Sequence, residues 1–418
     1  MTSSKTNFAV MTIALAAALL FVCGCGGGTV VSNDPDPGTA YINWNVSVVG
    51  AANHQSNSHC IFAEGIANEY FAVWEDLRGG ADCDIYARFF DSLRAEPVST
   101  EIVICNVAGH QLVPKIAYNT QSEEMLVIWE DYNAGDSDIF GQLVDAATGA
   151  LIGTNFAISS VIGTDERSPR ATYNSTRNDY LVTWDEDNGT DLDIMGRIVS
   201  ASGTIPGAAF VITPTAGDQQ SAVVAYDPVA DQYFVVFMDF VLNPLESDLY
   251  GQFVAYDGGL VGSDFAVNGD SGNQDFPTTI YNDMQDVFIV AWEDDQLGDR
   301  DITAQIIEPN GTLSGQPFIL SPDWTEQQNC DLAYNDSWGE YLAVWEDGRL
   351  GGNDIFSQSL TSNSFFVGGN IVINDYAVTS IQPAACANGV DREFFTTWTS
   401  MASAGHNDIK GQLTYVSY

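Results

Sequence analysis

Short runs of β-branched and aromatic residues, separated by polar and glycine-containing turns, follow one another along the chain from Ile42 onward. One such run begins at Tyr70 and reads Tyr-Phe-Ala-Val-Trp before an acidic pair that ends at Asp76. Apolar runs of this length, bounded by turn residues, are typical of β-strands buried within a sheet. No segment keeps a sustained helical period of apolar residues. The pattern therefore predicts an all-β protein.

The run at Tyr70 is one copy of a repeat. Its tryptophan is the first of seven anchor positions, which follow at spacings of 55, 55, 53, 55, 53 and 53 residues. Acidic residues come directly after most anchors, and Asp-Ile or Asp-Leu follows every anchor. The seven anchors are Trp74, Trp129, Trp184, Phe237, Trp292, Trp345 and Trp398. Seven copies at near-constant spacing predict a repeat architecture.

Each unit of the repeat reads as four short strands. In the second unit the strand-like segments are 115–118, 124–129 and 138–144, and the chain then returns through 156–159. Four strands in about 50 residues match one blade of a β-propeller, whereas an immunoglobulin-like array needs about 100 residues per unit. We therefore predict a seven-bladed β-propeller of four-stranded antiparallel blades.

The two ends of the repeat region complement each other. The last unit stops at Tyr418 after its third strand, and Ile42–Val49 occupies the place of a fourth strand before the first full unit. We expect this N-terminal strand to pair with the seventh blade and close the ring, which covers an edge strand that would otherwise promote aggregation.

The unit that runs from Trp345 to Gln358 resembles those of a broad group of secreted bacterial propellers with Trp-Glu-Asp-x-Arg-x-Gly-x-x-Asp-Ile-Tyr-x-Gln units. The unit beginning at Trp74 is similar, whereas the fourth and seventh units depart from it, at Phe237 and at Thr399-Ser400. The resemblance covers residues 42–418 and implies the propeller fold. It implies no particular activity, because propellers serve in binding, scaffolding and catalysis.

The first 24 residues are typical of a signal peptide. Lys5 precedes an apolar stretch, Phe8–Val22, which is short for a transmembrane helix. The stretch leads into Cys23-Gly24-Cys25, which resembles a bacterial lipobox with a small residue before the lipidated cysteine. We therefore predict a lipoprotein signal peptide at 1–24 and a lipid on Cys25. The alternative is an ordinary cleaved signal peptide.

Residues 25–41 follow as a tether rich in glycine and proline, with three consecutive glycines and an Asp-Pro-Asp-Pro segment. Gly26, beside the predicted lipidated cysteine, resembles the residue found there in lipoproteins sorted to the outer membrane. These features predict three segments: a signal peptide at 1–24, a tether at 25–41 and a propeller at 42–418. The predicted location is the bacterial cell envelope, with the outer membrane favoured and the lipid as the only membrane attachment.

Composition restricts the partners. The chain has 56 acidic and 13 basic residues and a formal net charge of −43. Such a field repels nucleic acid and attracts cations and basic partners. We therefore exclude a nucleic-acid partner and consider a cation.

The loops between the second and third strands are the candidate cation sites. All seven are expected on one face of the propeller, and three are especially rich in carboxylates, which suit a hard cation such as Ca²⁺. The candidate ligands are Asp131, Asp136, Asp138, Asp185, Asp187, Asp191, Asp193, Asp294, Asp299 and Asp301. The alternative is that the repeated aspartates bond to loop amides and brace the hairpins, as in Asx turns.

Two repeated residue types are expected to be structural. The anchor tryptophans should pack between blades, because large aromatics at one strand position form core contacts. The glutamines near the blade entries should bridge blades by hydrogen bonds; they are Gln111, Gln219, Gln274 and Gln327.

Five cysteines follow the signal region, and an odd count leaves at least one thiol free. Cys83 immediately precedes the third strand of the first unit, and Cys105 lies toward the end of the fourth. Antiparallel neighbours bring these two ends together, so we predict a disulfide between Cys83 and Cys105.

The sequence contains no nucleophile motif such as Gly-x-Ser-x-Gly, and no catalytic carboxylate pair stands out among its acids. We therefore predict no catalytic residues and a binding or scaffold role, with a protein, glycan or cation-bridged partner. The alternative is a polysaccharide hydrolase or lyase with acidic residues in the propeller funnel. A cluster of Asp, Glu, His or Arg at the channel mouth that is not repeated between blades would favour the enzyme, because a binding scaffold does not require one.

Overall fold

The structure is a computed structural model, and it describes residues 39–41, 46–49, 54–65, 67–133, 135–240, 246–374, 378–401 and 406–416. The signal peptide, Cys25 and the tether up to residue 38 lie outside the described residues. Within the described residues, no helix is long and apolar enough to cross a membrane.

Every regular element among the described residues is a β-strand. In chain order the strands are β1 Thr39–Tyr41, β2 Val46–Ser47, β3 Gln55–Ala63, β4 Glu69–Asp76, β5 Asp84–Asp91, β6 Ile102–Cys105, β7 Gln111–Asn119, β8 Glu124–Asp131, β9 Asp138–Asp145, β10 Leu151–Ser159, β11 Asp165–Asn174, β12 Asp179–Asp187, β13 Leu192–Ser200, β14 Phe210–Val211, β15 Gln219–Asp227, β16 Gln232–Asp239, β17 Asp248–Ala255, β18 Leu260–Asn268, β19 Gln274–Asn282, β20 Val287–Asp294, β21 Asp301–Ile307, β22 Leu313–Ile319, β23 Gln327–Asn335, β24 Glu340–Asp347, β25 Asp354–Thr361, β26 Phe366–Val372, β27 Ser380–Asn388, β28 Glu393–Met401 and β29 Asn407–Val416.

These strands form seven antiparallel sheets, which are the seven blades. Blade one is β3 to β6, and each following blade takes the next four strands, up to blade six at β23 to β26. The first strands of the blades contact one another in a closed ring, from β3 through β7, β11, β15, β19, β23 and β27 and back to β3. The first strands therefore surround the centre of the molecule, and the seven-bladed propeller prediction is confirmed.

Blade seven is completed from both ends of the chain. Its strands β27, β28 and β29 are joined on the outer side of β29 by β1 and β2. Val46 lies opposite Gly411, and Thr39 lies opposite Val416. The predicted closure by an N-terminal strand is confirmed, and the pairing begins at Thr39, before the predicted start at Ile42. Residues 42–45 lie outside the described residues.

The second strand of each blade forms the core. It lies between the first and third strands, and both of its faces pack against neighbouring blades, so its residues are almost all buried. All seven anchor residues have no exposed surface, which confirms that they are core residues. Trp324, outside the repeat, is 95% exposed.

Candidate functional site

In five of the seven blades the residue after the anchor is an acid that braces the next blade. Two or three positions after the start of its ladder, each first strand has one residue in the left-handed region, with φ between 47° and 57°. These seven residues are Asn57, Val113, Ser168, Ser221, Phe276, Asn329 and Gln382. The turned backbone presents its N–H to the preceding blade, where Glu75 accepts from Val113 at 2.7 Å and Glu346 accepts from Gln382 at 2.7 Å.

The same bond joins blades at Glu130, Asp185 and Glu293. Burial raises the pKa of Glu293 to about 7 and that of Asp185 to about 6. In blade four, Met238 takes the place of the acid, and its sulfur accepts the Phe276 N–H at 3.4 Å. The first acid of the repeat is therefore a structural group.

The second acid holds the anchor tryptophan and its loop. The indole Nε1 of Trp129 donates to Asp131 at 3.1 Å, and the Asn133 N–H donates to the other oxygen of that carboxylate at 3.0 Å. Trp345 and Asp347 repeat the indole bond at 2.9 Å. This arrangement agrees with the hairpin-brace alternative for the repeated acids.

The remaining predicted cation ligands are dispersed along their loops. Asp136 accepts the Gly163 N–H at 2.5 Å, and Asp191 and Asp193 accept from Asn188 at 2.9 and 3.0 Å. Asp187 accepts a hydrogen bond from the Gly189 N–H in its loop. Burial raises the pKa of both Asp138 and Asp301. Asp299 lies in the loop before Asp301. Across the described part of the chain, no group of three His, Cys, Asp or Glu side chains is arranged to hold a metal ion. The Ca²⁺ site stays a prediction.

The entry glutamines bridge blades through the backbone. The Gln111 N–H donates to the Cys83 carbonyl of blade one at 2.8 Å, while its side-chain amide donates to Val107 and Gly109 in its own entry loop. The expected bridging between blades is present, but it is made by the backbone N–H of Gln111, whereas its side chain holds the entry loop.

Cys83 and Cys105 are both free thiols in the structure. Cys105 lies opposite Ile85 in the β5–β6 ladder, two residues beyond Cys83. The predicted bridge is therefore not formed here, and its formation under oxidation stays a prediction.

A cavity of about 610 Å³ lies among the first strands, in the centre of the ring. Each first strand contributes to the cavity wall the residue that lies two positions after its left-handed residue. We call these seven equivalent residues the channel ring. The channel ring consists of His59, Lys115, Arg170, Val223, Thr278, Asp331 and Ala384. Unlike the anchors and acids, the residue type at this position is not repeated between blades: four of the seven residues are ionisable and three are not.

The ionisable members of the channel ring interact electrostatically within the cavity. Burial, and then the neighbouring Arg170 charge, lowers the pKa of Lys115 to about 7. Burial also lowers the pKa of Arg170 and raises that of Asp331, with the two cations opposing the rise at Asp331. The pKa of His59 is lowered well below its usual value, again mainly by burial. Both cations are half-buried in the cavity wall, close enough for the Arg170 charge to act on Lys115.

Few hydrogen bonds hold these charged groups. Arg170 donates to the Pro169 carbonyl of its own strand at 3.0 Å, and Asp331 accepts the Ala385 N–H at 2.9 Å. Within the described ranges, none of the ion pairs shorter than 4.0 Å involves Lys115 or Arg170. Nδ1 of His59 is buried without a partner among the described residues. The site thus offers donors that the described part of the protein leaves largely unused.

Sequence reasoning missed the channel ring, although one signal was present. Lys115 is the sole lysine between Lys5 and Lys410, in a chain with 56 acids. It stands four residues after Gln111, where the other units have His, Arg, Val, Thr, Asp or Ala. Comparing that one position across the units would have separated it from the repeated scaffold.

No protein-family model and no curated protein matches the chain. A solved structure of a protein of unknown function from Dyadobacter fermentans is similar at a TM-score of 0.57 and 10% identity, over 91% of this chain and 100% of that chain. A Hadza microbial sialidase has a TM-score of 0.49 at 10% identity, over 84% of this chain and 74% of that one. An endo-arabinase from Bacteroides thetaiotaomicron has a TM-score of 0.36 at 13% identity, over 63% and 93%. At such low identity the first likeness shows the propeller fold alone, so the function is argued from the channel.

Proposed function

We propose that the protein is an envelope-anchored binding propeller whose central cavity holds a small acidic sugar, a sugar that bears a carboxylate. The observation that carries this proposal is the pair Lys115 and Arg170, two cations that line one cavity and form no ion pair shorter than 4.0 Å within the described residues.

Placing two half-buried like charges in one cavity opposes folding. Partial desolvation of each charge and their mutual repulsion both contribute to this cost. A carboxylate that binds between Lys115 and Arg170 would offset both costs through charge-assisted hydrogen bonds. Residues that oppose stability are expected at functional sites.

The rest of the channel ring supports a polyhydroxylated ligand. Thr278, Asp331 and the free Nδ1 of His59 offer donors and acceptors for hydroxyl groups. The cavity volume, about 610 Å³, lies within the range of small-molecule sites and admits one or two sugar rings.

The test is a binding screen on the soluble propeller by calorimetry. Glucuronate, galacturonate and N-acetylneuraminate are compared with the neutral sugars glucose and galactose. Lys115→Met and Arg170→Met are expected to weaken acidic-sugar binding about tenfold or more. Lys410→Met, at the outer strand pair of blade seven, is the matched control and should bind normally. Equal binding of neutral sugars, or unchanged binding by both channel variants, would overturn the proposal.

A lyase acting on acidic polysaccharide is the second candidate, and it is favoured by the ionisable residues of the channel ring, which are not repeated between blades. Lys115, with its pKa lowered to about 7, suits a general base that removes the proton α to a sugar carboxylate, which Arg170 would neutralise. A hydrolase is less well supported, because glycosidases use two carboxylates and the channel ring has one, Asp331. An unsaturated product, followed by its ultraviolet absorbance and lost in Lys115→Met, would favour the lyase.

The lipid on Cys25 and the envelope location are part of the same proposal. Cys25→Ala is expected to release the protein into the soluble envelope fraction. Cys23→Ala is the matched control and should leave it in the membrane pellet; the reverse result would overturn the assignment.

Calcium in the acidic loops is proposed as a stabilising ligand. A cation that binds only the folded loops stabilises by mass action, about 2.7 kcal/mol at a hundredfold excess over its dissociation constant. Chelation with EDTA at low salt should therefore lower the melting temperature, and an unchanged melting curve would exclude such a site.

A further inference from the structure

The junction between blade seven and blade one is braced differently from most others. At five junctions a carboxylate of the repeat accepts the N–H of the left-handed residue. Here Thr399 takes the place of the acid, and the Asn57 N–H instead donates to the side chain of Gln382 at 3.3 Å. The hydroxyl of Thr399 donates to the same Gln382 oxygen at 3.1 Å. The junction at which the ring closes is therefore braced by neutral groups.

Two thiols meet at this junction. Cys60 is on β3 of blade one, and Cys386 is on β27 of blade seven, and these two strands are neighbours in the central ring. The Sγ of Cys60 lies 3.5 Å from the carbonyl oxygen of Phe395, which is directly opposite Cys386 in the β27–β28 ladder. The Sγ of Cys60 also lies 3.6 Å from the carbonyl oxygen of Ala384, two residues before Cys386 on the same strand.

Both thiols are buried in one hydrophobic cluster, with 2% of Cys60 and 7% of Cys386 exposed. Cysteines packed in one cluster on neighbouring strands need little backbone movement to be bridged, because a disulfide requires close approach of the two Cβ atoms. Cys330, a third cysteine on a first strand, belongs to a different cluster, around blades five and six.

We infer that Cys60 and Cys386 form a disulfide that links blade one to blade seven when the chain folds in an oxidising compartment. The oxidant is a disulfide-bearing thiol oxidant. One cysteine thiolate attacks the oxidant's disulfide and forms a mixed disulfide, releasing one oxidant thiolate. The second thiolate displaces the other oxidant thiolate. The S–S bond forms, both cysteine protons are lost, and the oxidant gains two electrons as two thiols.

The burial of the pair determines when this exchange takes place. Burial raises the pKa of the Cys386 thiol well above its usual value, so the folded, reduced protein holds little of the reactive thiolate. The bond is therefore expected to form during folding, and to resist reductant afterwards until the ring opens.

The test uses the full chain, unfolded and reduced, then refolded with oxidised glutathione and treated with an alkylating agent. Peptide mapping without reductant is expected to find Cys60 joined to Cys386. Free alkylated Cys60 or Cys386, or either one paired with a different cysteine, would overturn the inference.

The melting temperature supplies an independent readout. The oxidised protein should melt about 5 °C or more above the protein refolded with reductant, because a bond between distant parts of the chain restricts the unfolded state. Cys386→Ala should abolish this difference, and the control Cys330→Ser should keep it. An unchanged melting temperature on oxidation, in a protein whose map shows no bridge, would count against the inference.

Discussion

The second strands and the channel ring lie next to each other in every blade, yet their sequences follow opposite rules. The anchor residue is aromatic in all seven blades, and the acid after it appears in five. The ring position, on the adjacent first strand, holds seven different residues. Both sets occupy equivalent places in equivalent sheets, so the difference does not come from the fold.

The difference reflects what each set contacts. An anchor such as Trp345 and its acid contact the same strands and the same bulge in each blade, so the same residue type suits nearly every copy. The channel ring faces a shared cavity, whose seven walls differ in chemistry. In this molecule a residue type that is repeated between blades indicates scaffold, and one that is not repeated marks the candidate site.

The largest expected effect is on the anchors. Trp345→Ala removes a fully buried indole and its bond to Asp347, so the free energy of unfolding should fall by about 3–5 kcal/mol. Chemical denaturation measures this change. The control is Trp324→Ala, at a residue 95% exposed, which should change stability by less than about 0.5 kcal/mol.

The bracing acid comes next. Glu346 accepts the Gln382 N–H and the side-chain amides of Gln328, Asn329 and Asn353. Glu346→Ala leaves these donors unpaired, and the free energy of unfolding should fall by about 2–3 kcal/mol. The exposed carboxylate of Glu326 provides the matched Ala control. Equal effects at the two positions would contradict the bracing role.

The buried acids also predict a pH dependence. Burial raises the pKa of Glu166 and Glu293 to about 7 and that of Asp185 to about 6, above the unfolded values of about 4. At a pH between the unfolded and the folded pKa values, the folded state binds more protons than the unfolded state. Stability therefore falls as the pH rises from about 4.5 to 7. The melting temperature should be several degrees higher at pH 5 than at pH 8. Glu293→Gln should reduce this slope, whereas a slope of opposite sign would contradict the assignment.

The smallest expected effect on stability is in the channel ring. Lys115→Met keeps the side-chain volume and removes a poorly solvated charge, so the free energy of unfolding should change by less than about 1 kcal/mol or rise. Binding of the proposed acidic sugar should still weaken. A loss of stability comparable to that of Trp345→Ala would show that the ring position belongs to the scaffold.

The sequence was sufficient to predict the fold, because the anchor pattern occurs seven times at near-constant spacing. It was insufficient for the channel, because Lys115, Arg170 and Asp331 become neighbours only when separate blades close into a ring. Cys60 and Cys386 escaped notice for the same reason, since pairing was sought between strands of one blade. Cys83 and Cys105 are on adjacent segments of one blade, but the register sets Cys105 against Ile85.

The completion of blade seven by β1 and β2 has a consequence for biosynthesis. Lys410 donates to Ser47, 363 positions earlier in the chain, so the first strands to be made pair with the last one. Until synthesis is complete, β1 and β2 have no partner and the ring cannot close. A stalled or prematurely terminated chain therefore keeps an unpaired β-strand at its beginning, a feature by which proteases and chaperones can distinguish unfinished molecules from finished ones.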